Sequence, residues 1–233
     1  MIARHILARR TVTLMIAAVF LAGLSCHGAT AREPGGIGTS RPYQIYLLKG
    51  LADVFSSGLD FLQGKLQARG IVGEVHSHTE WETLAESAAA KWHGGAHGPV
   101  IIIGHSLGAD AAILMAQKLG EAGVPVSLLV AFSPVNSGPA NANVARAVNY
   151  FQSNSAFHGQ ITRGNGFHGV LENVDLADAP GITHWNIEKA DNLHAATIAK
   201  VVAIVPSSSQ HGHAAREPAP ASPPPTAAVM TDR

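Results

Sequence analysis

Four consecutive aliphatic residues, Val100 to Ile103, run directly into Gly104-His105-Ser106-Leu107-Gly108, and a helical stretch follows to Gly120. A short run that is apolar throughout suits a strand buried on both faces. Such a strand needs helices above and below it, which already restricts the chain to a layered fold. Glycines on both sides of Ser106 leave room for a tight bend between strand and helix.

The neighbouring sequence alternates in the same manner. Strands are expected at Tyr43–Leu48, Ile71–His76, Val126–Phe132, Ala145–Phe151 and Val170–Leu176. Helices are expected at Ser57–Ala68, where Leu59, Leu62 and Leu66 have helical spacing, at Thr79–Trp92 and at Asp191–Val205. Thr79 with Glu82 has the spacing of a capping box. This order predicts an α/β class, with a mostly parallel central sheet and helices on both faces. Right-handed crossovers gather the strand C-termini along one edge, and ligands bind outside that edge. Chemistry is therefore expected in the residues just after each strand.

Composition narrows the partners. The 233 residues carry no formal net charge and only 14% are charged, so no basic excess points to nucleic acid. An uncharged or weakly charged small molecule is the expected substrate, and a monomer the expected state. Arg4, Arg9 and Arg10 precede an uncharged run from Thr11 to Leu24, and Ala29-Thr30-Ala31 has the small-x-small form of a cleavage site. Residues 1–31 are read as a signal peptide, with no membrane span in the mature form and export to the periplasm or medium. Cys26, the only cysteine, sits in a poor lipoprotein box, Gly23-Leu24-Ser25-Cys26; a lipid-anchored form is the lesser alternative. Residues 32–205 form the expected domain. From Pro206 to Arg233 the chain is rich in Ser, Pro and Ala, and a disordered tail is expected.

An elbow between strand and helix strains the serine backbone, lifts its hydroxyl above the sheet edge and aims a helix N-terminus at any oxyanion formed there. The pentapeptide Gly104-His105-Ser106-Leu107-Gly108, with its strand before and helix after, resembles the α/β-hydrolase superfamily, and most of all its small lipase, esterase and thioesterase branch. The resemblance runs from about Tyr43 to Val205. It implies a minimal, lidless α/β-hydrolase fold that begins at the family's third strand. It also implies acyl transfer from an ester or thioester to Ser106, then hydrolysis, with neither cofactor nor metal.

The same resemblance assigns further residues. The oxyanion hole would use the N–H of Leu107 and one from the loop Lys49–Asp53, for which Leu51 is the candidate. The base would stand on the loop before the last helix, where His184 lies; His194 is its rival, inside that helix. His105 would pack beneath the elbow, and His211 and His213 fall in the tail. The acid would follow the strand ending at Phe151, yet Gln152-Ser153-Asn154-Ser155 holds no carboxylate. Asp175 is chosen in its place, with Asp178 and Asn154 as alternatives and Asp110 read as structural. Two other functions stay open: acyl transfer from the same serine to an acceptor other than water and, motivated by that gap, a silent binding protein on the same fold.

Overall fold

The structure is a computed structural model that describes residues 42–51 and 57–206. The leader expected at 1–31 and nearly all of the expected tail lie outside the described residues.

The central sheet has six strands, all parallel, in the order β2-β1-β3-β4-β6-β8. These are β1 (Gln44–Lys49), β2 (Glu74–Ser77), β3 (Val100–His105), β4 (Leu128–Phe132), β6 (Arg146–Phe151) and β8 (Val170–Asp175). The helices are α1 (Ser57–Gln67), α2 (Trp81–His93), α3 (Leu107–Glu121) and α4 (Asp191–Val202). Alternation along the inner strands divides the core into two layers. Val100 and Ile102 of β3, with Leu129 and Ala131 of β4, pack on the side of α2 and α3. Ile101 and Ile103, with Leu128, Val130 and Phe132, pack on the side of α1 and α4. Both faces of β3 and β4 are sealed, which is why these strands read as continuous apolar runs rather than as alternating ones.

Helix α3 lies close to the sheet because its inner face is largely alanine: Ala109, Ala111, Ala112 and Ala116 are all buried. Its N-terminus comes closer still. A Cβ on Gly104 would overlap the carbonyl oxygen of Gly108, and a Cβ on Gly108 would overlap that of Leu48 in β1. The two glycines of the pentapeptide are thus demanded by backbone packed on backbone.

Two expectations are corrected. β2 starts at Glu74 rather than Ile71. The cap before α2 is made by Ser77, whose N–H donates to the Glu80 carboxylate at 2.9 Å, and a 3-10 turn at His78–Glu80 intervenes before the helix. The structure adds a pair of short strands, β5 (Gly138–Ala140) and β7 (Ile161–Arg163), which form a separate parallel sheet beside α3.

Gly104→Ala should cost about 3 kcal/mol or more, since neither carbonyl nor helix can move without unpacking. Gly64→Ala is the control: nothing lies near that position, so the substitution should stabilise α1 by up to about 1 kcal/mol. Urea unfolding midpoints of the two variants check both signs.

Candidate active site

Ser106 sits between the last residue of β3 and the first of α3, with φ 57° and ψ −125°. Side chains rarely occupy that region, and such strain persists only where the surroundings hold it. Here they do. The Ser106 N–H donates to the Phe132 carbonyl of β4 at 3.0 Å, and the Ser106 carbonyl accepts from Ala109 and Asp110. The side chain is left at the C-terminal edge of the sheet.

His184 arrives on the loop after β8. Asn186 braces that loop, accepting from the Thr183 N–H and donating to the Gly181 carbonyl. The Gln152 side-chain amide donates to the Ile182 carbonyl at 2.8 Å. His105, just before Ser106, has Nε2 at 2.9 Å from the His184 carbonyl. A carbonyl only accepts, so this Nε2 carries the hydrogen. The result is an imidazole Nε2 3.0 Å from the Ser106 hydroxyl oxygen, from residues 78 positions apart. Phe157 stacks on the ring at 4.1 Å between centroids, and Trp185 meets it edge-on at 5.0 Å.

The other ring nitrogen meets no carboxylate. His184 Nδ1 lies 2.7 Å from the hydroxyl of Ser133, the residue directly after β4. Ser133 is fully buried and has a φ of 47°. Its N–H donates to the Tyr150 carbonyl, and its hydroxyl lies 3.2 Å from the Phe157 carbonyl. Asp110, in the first turn of α3, accepts from the Val135 and Asn136 N–H groups and so ties the Ser133 loop to the Ser106 helix.

Asp175 does not reach the ring. Its carboxylate is held below the usual carboxylate range first by the Ser153 side chain, then by the N–H groups of Ser153 and Ala177, which donate to it at 3.0 Å each. The physical reason is local: at the end of an edge strand, donors in the turns after β6 and after β8 take up the carboxylate. Asn154 donates to the Ala177 carbonyl, and Asp178 is exposed. His194 is held within α4 between Lys65 and the Glu188 carbonyl.

Leu107 opens α3, so its N–H has no carbonyl one turn back to bond. Leu51 follows β1 in an exposed turn, beside the edge where Gly108 crowds Leu48. The loop continues through residues outside the described set. Among the described residues no cluster suited to a metal ion occurs, and no helix is long and apolar enough to cross a membrane.

Electrostatically the centre is close to neutral. Burial lowers the pKa of His184, so the ring is unprotonated at neutral pH and able to take a proton from Ser106. Burial also pulls His105 down to about 4, while it pushes up the carboxyl of Glu188, whose oxygen lies 3.7 Å away. The sign of the linkage follows. Below the ordinary value of 6.5, the unfolded chain binds a proton that folded His105 refuses. Stability contributed by His105 is therefore complete above about pH 6.5 and falls as pH drops towards 4, by about 3 kcal/mol in all. His105→Gln should flatten that window relative to wild type, as read from urea midpoints between pH 7 and pH 4.

No protein-family model matches the chain, and no curated protein does. Solved structures do resemble it. A protein of Xanthomonas campestris pv. campestris, described as a hydrolase of the alpha/beta superfamily, is 16% identical over 69% of this chain and 98% of its own, with a TM-score of 0.40. A cutinase-like protein from Cryptococcus sp. is 17% identical over 70% and 94%, with a TM-score of 0.46. A type II thioesterase from the borrelidin biosynthetic cluster, BorB, is 11% identical over 68% and 92%, with a TM-score of 0.39. The chain's own topology, six parallel strands in the order above with a strained serine elbow after β3, gives it the α/β-hydrolase fold.

Proposed function

We propose that the protein is an exported serine hydrolase that cleaves carboxylic esters or thioesters through an acyl-enzyme on Ser106. The observation that carries this reading is the 3.0 Å approach of the His184 Nε2 to a hydroxyl held on a strained elbow. A helix cap needs no such strain, and a silent scaffold has no need of a buried imidazole aimed at it.

In this reading the Ser106 oxygen attacks the acyl carbon while its proton passes to His184 Nε2. The Leu107 N–H receives the developing oxyanion, with the Leu51 N–H as the second donor. The leaving group takes the Nε2 proton, and water then repeats the sequence on the acyl-enzyme. Export rests on the leader read at residues 1–31, and small neutral substrates on the absence of net charge.

A fluorophosphonate probe tests the proposal. It should label wild-type protein at Ser106, and Ser106→Ala should lose both labelling and nearly all ester turnover while its melting temperature changes little. Turnover retained by that variant would refute the assignment. His184→Ala should lower turnover by about 10³-fold or more.

A further inference from the structure

We infer that Ser133 occupies the third position of the triad as an uncharged positioning residue, and that this restricts efficient turnover to acyl groups on leaving groups more acidic than alcohols, thiols above all. The inference rests on the serine-hydrolase reading and extends it to a substrate class.

The hydrogen bonds fix the direction of every proton. For His184 Nε2 to accept from Ser106, Nδ1 must carry the ring's hydrogen. Ser133 Oγ, 2.7 Å away, must then accept from Nδ1–H. Its own hydrogen is free to point at the Phe157 carbonyl, 3.2 Å off, which can only accept. The relay is Ser106 to His184 to Ser133 to the Phe157 carbonyl, with one donor and one acceptor at each joint. Ser133 is fixed on three sides: by its own N–H to Tyr150, by the Asp110 anchor two residues on, and by burial. It thus selects the ring tautomer and orientation that a triad needs.

A hydroxyl cannot supply what a carboxylate would add, a negative charge beside the imidazolium. The other titratable groups around the ring do not replace it. His105 faces it at 5.3 Å between centroids and is neutral down to about pH 4. Glu188 lies behind His105 with Lys189 at 3.7 Å from it. From the elbow, the β4 loop and the Phe157 loop, the groups that touch the ring are Ser106, Ser133 and Phe157, none of them charged.

Leaving-group chemistry then decides. After attack, the imidazolium holds the Ser106 proton until the tetrahedral intermediate collapses. The carbon–heteroatom bond breaks, the electron pair goes to the departing atom, and that atom takes the Nε2 proton. An alkoxide, whose conjugate acid is about as weak as water with a pKa of about 15.7, leaves only as this proton is delivered. It therefore needs a long-lived imidazolium. A thiolate, with a pKa of about 8.5, departs with little help and makes less demand on a ring that lacks a counter-charge.

The test uses S-ethyl thiobutyrate and ethyl butyrate, which share acyl and ethyl groups and which hydroxide hydrolyses at comparable rates. Wild type should favour the thioester in kcat/KM by about 10²-fold or more. Ser133→Asp should raise the acid-limb inflection of kcat/KM by about one pH unit or more and narrow that preference about tenfold. Ser133→Ala should slow both substrates without raising the inflection. A wild-type preference near unity overturns the inference, as does a folded Ser133→Asp in which neither inflection nor preference moves. If Ser133→Asp does not fold, the wild-type preference alone decides. Failure of the underlying reading looks different: Ser106→Ala would keep its turnover on the thioester.

Discussion

Backbone packed on backbone at the start of α3 is the constraint from which the rest follows. The helix reaches β1 and β3 only because residues 104 and 108 have no side chain to intervene. That closeness swings the chain through a strained serine and delivers its hydroxyl to the sheet edge. A larger residue at either position would push the helix outward, relax the bend and turn the hydroxyl away. The strain is held by packing on both sheet faces, where Val100 to Ile103 are completely buried.

Much of this was legible in the residues. Apolar runs without alternation announced strands covered on both sides, and the family resemblance pointed to His184, rather than His194, on the loop before the last helix. Ser133 was missed for a nameable reason. The rule that chemistry follows each strand applies to it as well as to any aspartate, since it comes directly after Phe132. The candidates considered were carboxylates and the amide of Asn154, and a hydroxyl was not among them. Asp175 also follows that rule by position, but position along a strand does not say whether a carboxylate turns to an imidazole or to the nearest free N–H. Strands β5 and β7, three residues each, are too short for any period to show, and Gly138-Pro139-Ala140 has no strand-like composition.

Residues outside the proposed triad act as braces in the structure. Gln152 stands where an acid was sought, and its amide instead holds the loop carrying His184. His105 links the elbow to that same loop through one carbonyl. Asp110 couples the nucleophile helix to the turn bearing Ser133. Side chains thus tie each of these segments to another, so displacement of one is felt by its partner.

The long sequence separation between Ser106 and His184 has a consequence for how the chain acquires its reactivity. The elbow exists only after β1, β3 and β4 have paired, because its contacts come from all three. The imidazole joins only once β8 has closed the far side of the sheet. A fragment that lacks any of these strands lacks part of the pair, so the proposed reactivity requires the whole sheet. Under the proposed function, a mechanism-based label would count native molecules and ignore collapsed ones, which would make Ser106 a built-in gauge of cooperative folding.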